Sequence, residues 1–373
     1  MRGYYDRFSN SFLWPVLHSK QPALIPTPDD WEAYSEMNRR FADSLQKIVG
    51  SDDVIWIHDY HLMLLPAYLR QAGVHNRIGY FLHVPFPEPQ YWRDLPYACE
   101  LADGIAQADL VGMQTHKDVK RLQEYLTQSK VRPPEVIDSF PIGIDYEAYH
   151  SAAKRPAVRR MQQAIKRQMA GKKIIFSLSR MDYTKGIITQ LRALEKFLSN
   201  HPHKYDIVYK LIAAPSREGL PEYSRLGEDI KRTVKEINAS LGNKNWQPVD
   251  YEYKTMGFEE VTAWYGVTDL MLLLPDADGM NLIAKEYIAT RQDDDGMAVL
   301  STAMGSAEQL RDALLVPPAD KVAAALAIGE ALAMPAQERQ QRWRNLRSVV
   351  RDENIFWWAD KFLAALSTPG KKS

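Results

Sequence analysis

Short apolar runs alternate with helix-period segments along almost the whole chain. In residues 31 to 49 the apolar positions Trp31, Tyr34, Met37, Phe41, Leu45 and Ile48 fall three or four apart, and Gly50 follows as a stop. That spacing predicts one helix with its apolar face inward. The segments DVIWIH, RIGYFLHV, DLVGMQ and EVIDSF come next, with helical patterns between them. After a basic stretch the rhythm resumes with KKIIFSLS, YDIVYKLIAAP, TDLMLLLP, MAVLS and ALLVPP. These runs lack strict polar alternation. Strands of that kind, separated by helices, predict parallel sheets covered on both faces, an α/β architecture.

The series breaks once, over residues 143 to 172, where a single basic helix stands between the two sets of strands. Met161, Ile165 and Met169 form too narrow an apolar stripe for a membrane-surface element, so a solvated linker helix is expected. The pattern divides the chain into residues 1–150, residues 151–350 and a last helical stretch, 351–373, expected to pack back on the first domain. Doubly wound domains take their ligands outside the carboxyl ends of the strands. Candidate site residues are therefore those that follow strands.

Composition narrows the partners. The 373 residues suffice for two domains, and 45% hydrophobic with 25% charged residues excludes global disorder. Lys plus Arg and Asp plus Glu balance at 47 each, which removes any bulk electrostatic case for nucleic acid or an anionic membrane. Cys99 is the one cysteine, so no internal disulfide forms and a reducing, cytoplasmic setting fits. Arg2, Asp6 and Arg7 stand where a secretory signal needs apolar residues. The most apolar late stretch is broken by Asp320, Lys321 and Glu330, so no membrane span is expected.

Five strand ends carry candidate chemistry. After KKIIFSLS come Arg180 and then Lys185-Gly186, at the start of a helix. Two cations beside free helix N–H groups suit a phosphate or pyrophosphate; two solvated surface cations are the alternative. After TDLMLLLP comes DADGMNLIAKEY, with Asp278-Gly279 as a turn and Glu286 two helical turns further on. A carboxylate beside a glycine-freed backbone suits sugar hydroxyls, and a second acid suits a ribose diol; an N-cap and an exposed helical acid are the plain alternative. After DVIWIH, the HDYH stretch offers His58, Asp59 and His61, but without the i, i+4 histidine pair of a helical zinc site. No metal is expected there, and Asp59 reads either as a helix N-cap or as a hydroxyl ligand. HVPFPEP presents His83 on a proline-stiffened turn, and SREG supplies Arg217. The run Asp293-Asp294-Asp295 beside Gly296 reads as a solvated acidic loop.

Together these stretches resemble the retaining glycosyltransferases that make α,α-trehalose 6-phosphate. The matching segments are YYDRFSNSFLWP, WIHDYHLMLLP, NRIGYFLHVPFP, SFPIGI, SRMDYTKGI, APSREG and DGMNLIAKEY, in family order along essentially the whole chain. The resemblance implies the GT-B architecture, two facing Rossmann-like domains. It implies transfer of glucose from a nucleotide sugar, UDP-glucose above all, to glucose 6-phosphate, without a cofactor or a metal. By position, Arg180 and Lys185 look like the pair that grips the donor pyrophosphate. Asp278, Gly279, Met280, Asn281 and Leu282 match the part that holds the donor sugar, Glu286 the ribose ligand and His83 a donor-glucose contact. Tyr5, Trp14, Asp59 and Arg217 correspond to residues around the sugar-phosphate acceptor. A homo-oligomer is compatible with the resemblance.

The chain also departs from the family pattern. Members carry a strand and a glycine-rich loop ahead of YYDRFSN, whereas here Met1 stands three residues before Tyr4. An N-terminal sheet short of its first strand, with an exposed edge, is therefore expected. Ala277 and Glu308-Gln309-Leu310 replace the commoner arginine and Asn-Glu-Leu. Beside an active synthase, two readings stay open: a catalytically weak relative that binds sugar phosphates or nucleotide sugars, and a synthase of another phosphorylated glucoside such as glucosylglycerol phosphate.

Overall fold

A computed structural model describes residues 2–201, 204–217 and 220–368. Its described residues form two compact units: one runs to Ile142 and takes up the chain again from Trp357, and the other is Gly143–Phe356. Each unit is built on its own parallel sheet. The last stretch of the C-terminal segment, residues 369–373, and Glu218-Gly219 of SREG lie outside the described residues.

The first unit holds β1 (Ile55–His58), β2 (Ile78–Phe81), β3 (Leu110–Met113) and β4 (Val136–Ser139), in the order β1-β2-β3-β4. β1 and β4 form its edges, while β2 and β3 are buried along their whole length. Gly79 in β2 is required by a close approach: a Cβ there would stand 2.6 Å from the ring of Phe362. Phe362, on the helix Ile355–Ser367, is fully buried and stacks on Trp56 at 4.4 Å.

The first long helix is Pro28–Gln46, started by Pro28 and by a reciprocal cap between Thr27 and Asp30. Its buried face differs from the expected apolar stripe. Phe41 and Ile48 are exposed, whereas Tyr34, Ser35, Asn38 and Ala42 are buried. The reason is polar. The Tyr34 hydroxyl donates to Tyr60 O at 2.7 Å, and Asn38 Nδ2 donates to His61 O at 3.2 Å. The helix turns its hydrogen-bonding side chains toward the turn that follows β1.

The second unit holds β5 (Lys173–Arg180), β6 (Ile207–Ala214), β7 (Val249–Tyr253), β8 (Leu270–Leu273), β9 (Met297–Ser301) and β10 (Leu314–Val316). Their order is β10-β9-β8-β5-β6-β7. Counted from β5, that is the 3-2-1-4-5-6 arrangement of dinucleotide-binding sheets, whose direction reverses between β5 and β8. Apolar clusters cover both faces of the sheet. β7 had no counterpart among the expected strands.

One expectation is corrected. The basic helix Pro156–Gln168 is not a solvated linker: Val158 and Ile165 are buried in the core with Trp264 and Tyr265, and it is Met161 that faces outward. The three aspartates stay exposed or partly exposed, as expected of a solvated loop, and each also takes an ion pair. Asp293 pairs with Arg291 at 2.8 Å, Asp295 with Arg339 at 2.6 Å, and Asp294 with Arg347. Among the described residues no helix is long and apolar enough to cross a membrane.

Candidate active site

The reversal between β5 and β8 brings two chain segments together. β5 ends at Arg180, whose side chain is exposed. A single turn, Tyr183–Lys185, follows, capped by Asp182, and the helix Ile187–Ser199 begins after Gly186. Gly186 has φ 63°, and a Cβ on it would lie 1.9 Å from the carbonyl oxygen of Leu274, just past β8. Only glycine allows that approach. It lets Lys185 Nζ reach Asp278 Oδ2 at 2.7 Å, with both side chains largely buried. Asn281 Nδ2 donates to the same oxygen at 3.1 Å.

The loop around Asp278 is pinned from behind. Asp278 N donates to Ala303 O at 3.1 Å, Gly305 N donates to Asp278 O at 3.0 Å, and Ser306 N donates to Met280 O at 3.0 Å. Gly279 and Met280 are buried, Asn281 has φ 65°, and the helix Leu282–Thr290 starts directly after it. Two helix starts, one lysine and one carboxylate thus meet at the reversal point, the arrangement that receives anionic and hydroxylated ligands. Glu286 is not the exposed helical acid of the plain reading. It is half-buried and accepts from the Tyr265 hydroxyl at 2.8 Å, and burial raises its pKa.

Lys285, beside it, is fully inside and donates to Gln309 Oε1 at 2.7 Å. Burial pulls its ammonium down to about 7. In the unfolded chain the same group titrates near about 10.4. Between those values the unfolded chain carries a proton that the folded chain does not, so this group makes stability rise with pH across that window and adds no slope below it. Lys285→Met is expected to flatten the rise, and melting temperatures of both proteins from about pH 7 to about pH 10 check it.

Arg217 follows β6 with φ 45°. Its Nη1 donates to the Tyr223 hydroxyl at 2.6 Å and lies 3.4 Å from Asp182 Oδ2. Arg217 therefore stands in one network with the turn that carries Lys185.

In the first unit, Asp59 follows β1 with φ 73° and ψ 170°, a region that is essentially glycine-only and occurs in other residues mainly at functional sites. It is not a side-chain N-cap for the turn behind it. Its Oδ1 accepts from His83 N at 3.3 Å, and its backbone oxygen accepts from the Tyr80 hydroxyl at 3.0 Å. His83 Nε2 lies 2.9 Å from His58 Nδ1. Burial, and then the neighbouring His58, lower His83 to about 4, so the ring is neutral near pH 7. Tyr5 is exposed and stacks on His61 at 5.6 Å. Trp14 is buried, 4.2 Å from His18 and 5.9 Å from Tyr60. Tyr5, Trp14, Asp59 and His83 are thus gathered around the turn after β1. Among the described residues no group of three or more His, Cys, Asp or Glu side chains could hold a metal ion.

The sequence reading missed Asp182, Tyr223, Tyr265 and the His58–His83 contact. Asp182 had a legible signal, an aspartate two residues ahead of a threonine at a strand end, which is an Asx-turn pattern. The tyrosines lie on other elements and carry no local mark.

A family model described as Glycosyltransferase family 20 matches residues 1–368. The chain is 34% identical over 384 residues to the bifunctional trehalose-6-phosphate synthase/phosphatase of Thermoproteus tenax, a match covering 98% of this chain and 52% of that relative. The chain therefore spans about half the length of this curated relative. Its fold superposes with TM-score 0.93 on an α,α-trehalose-phosphate synthase (UDP-forming) from Burkholderia xenovorans in complex with glucose-6-phosphate, at 32% identity over 98% of this chain and 84% of the other. The same TM-score, 0.93, identity, 32%, and shares, 98% and 84%, hold for the E. coli trehalose-6-phosphate synthase bound with UDP-2-fluoro glucose.

Proposed function

The chain belongs to glycosyltransferase family 20, and from that premise we propose that it transfers glucose, with retention, from UDP-glucose to glucose 6-phosphate, giving α,α-trehalose 6-phosphate. The observation that carries this reading is the Lys185–Asp278 contact of 2.7 Å at the point where the second sheet reverses. In this reading the contact sets a cation for the leaving diphosphate beside a carboxylate for the hydroxyls of the transferred glucose, each just ahead of a helix.

In this reading Arg180 and Lys185 hold the pyrophosphate, Asp278 and the backbone of Gly279 to Leu282 hold the glucose, and Glu286 takes the ribose. His83 is assigned to the donor glucose, and Asp59, Tyr5, Trp14 and Arg217 to the acceptor. The bond from glucose C1 to the β-phosphate oxygen breaks, and the acceptor oxygen bonds to C1 on the same face. The proton of the acceptor hydroxyl passes to the departing phosphate, so no side chain serves as general base. Negative charge grows on the diphosphate, and fixed cations aimed there lower the barrier because they bind the transition state better than the ground state. A cytoplasmic setting accompanies the reading, with one exposed cysteine and phosphorylated, nucleotide-activated substrates.

The purified chain, given UDP-glucose with glucose 6-phosphate, is expected to release UDP and form one disaccharide phosphate. Glycerol 3-phosphate in place of the hexose phosphate should yield at most a trace, and faster reaction with it would move the assignment to glucosylglycerol phosphate. Transfer should also survive chelation, because Arg180, Lys185 and a helix start are assigned to the leaving group. Activity lost in chelator and restored by magnesium or manganese would assign the charge-neutralising role to a metal instead.

A further inference from the structure

Asp182 lies between the residues assigned to the two substrates and touches neither substrate in that assignment. It is fully buried, and its two oxygens do different work. Oδ1 accepts from the backbone N–H and the hydroxyl of Thr184, both at 2.9 Å, and the Asp182 carbonyl accepts from Lys185 N at 3.0 Å. These bonds shape the turn that carries Lys185. The turn is tied on its other side by Asp276 N, which donates to Thr184 O at 2.8 Å.

Oδ2 faces the other way. It accepts from the Tyr223 hydroxyl at 3.0 Å and lies 3.4 Å from Arg217 Nη1, which itself donates to Tyr223 at 2.6 Å. Arg217 needs such an anchor. Its backbone sits at φ 45°, a conformation that side-chain-bearing residues rarely choose unaided, and its guanidinium ends a long, rotatable stem.

Burial alone would raise the pKa of the Asp182 carboxyl. The Thr184 N–H and the charges of Lys185 and Arg217 outweigh it and hold the group ionised, with its pKa below the ordinary value. The anion therefore depends on the same two elements that it orders.

We propose that Asp182 is a shared positioning residue, one buried carboxylate whose separate oxygens fix the donor-gripping turn of Lys185 and the acceptor-gripping guanidinium of Arg217. The inference rests on the substrate roles given above, and it adds that donor and acceptor cations are set from one point. A group that only stabilised the fold would change the fraction of folded protein, not the affinity of the folded fraction for both substrates.

Calorimetric titration of UDP and of glucose 6-phosphate into three variants, with thermal melts alongside, tests this. Asp182→Asn keeps the volume and loses the charge, and should weaken both ligands about tenfold. Thr184→Val removes one bond on the donor side and should weaken UDP several-fold while leaving glucose 6-phosphate unchanged. Tyr223→Phe removes the bridge on the acceptor side and should give the reverse. Steady-state KM values should follow the same crossed pattern. Asp182→Asn with both affinities within about twofold of wild type would overturn the proposal, as would equal weakening of both ligands in each flanking variant. If Asp182→Asn does not fold, the crossed pattern of the other two variants decides alone. Wild-type protein that binds neither ligand overturns the transferase reading, and this inference with it.

Discussion

Lys185→Ala is expected to slow glucosyl transfer about a hundred- to a thousandfold, the usual effect of removing one fixed charge from a site where charge develops. The expectation follows from placement. Lys185 leaves the turn just before a helix start, and its ammonium is held 2.7 Å from Asp278. The charge is oriented before any ligand arrives, so little reorganisation is needed during the reaction. The stability effect should be smaller but real. Lys185 is not an exposed decoration, since its side chain is 12% exposed and that of its partner Asp278 13%. Removing it takes a charged partner from the carboxylate, which also accepts from the Asn281 amide. A hydrogen bond to a charged group is worth about 1.5–3 kcal/mol, so a modest fall in melting temperature is expected. A kcat within about threefold of wild type would return Lys185 to a structural role.

Gly186→Ala is expected to do the opposite: a large loss of stability, roughly 3–5 kcal/mol, with activity lost through displacement of the turn. Two costs add. The backbone at φ 63° disfavours a side chain, and the new Cβ would start 1.9 Å from Leu274 O. The neighbour is a main-chain carbonyl at the end of β8, not the tip of a flexible side chain, so one strand end or the other must move. Both carry site residues. Denaturant melts of the variant give the loss directly, and a stability change below about 1 kcal/mol would show that the turn is softer than its geometry implies.

The strands were legible because the buried parallel ones are short, nearly continuous apolar runs, as in IIF of β5 and LMLL of β8. β7 was not, since VDYEY alternates acids with tyrosines. Asp250 and Glu252 are there for Lys210, a lysine buried in the neighbouring strand. The inward face of Pro28–Gln46 was misread for a related reason. Ser35 and Asn38 are buried by what they bond to, and hydrophobic spacing is blind to that.

At the candidate site, the sequence signal lay at the strand ends. They singled out Lys185 and Asp278, which lie 93 residues apart and touch. Conformation was the hidden part. Asp59, Arg217 and Asn281 all hold positive φ, a sign of constraint that no residue type announced in advance. Side-chain partners such as Tyr223, which accepts from Arg217 Nη1, lie on other elements and carry no local mark in the sequence.

In the proposed reading the second unit holds a nucleoside diphosphate at the reversal between β5 and β8, chiefly through its phosphates. Calorimetric titration of UDP, UMP and uridine into the wild-type chain, in chelator, measures this directly. UDP is expected to bind, UMP at least about tenfold more weakly and uridine more weakly still, since each phosphate removed takes away charge-assisted bonds. Equal affinity for UDP and uridine, or UDP binding that appears only with a divalent cation, would contradict it.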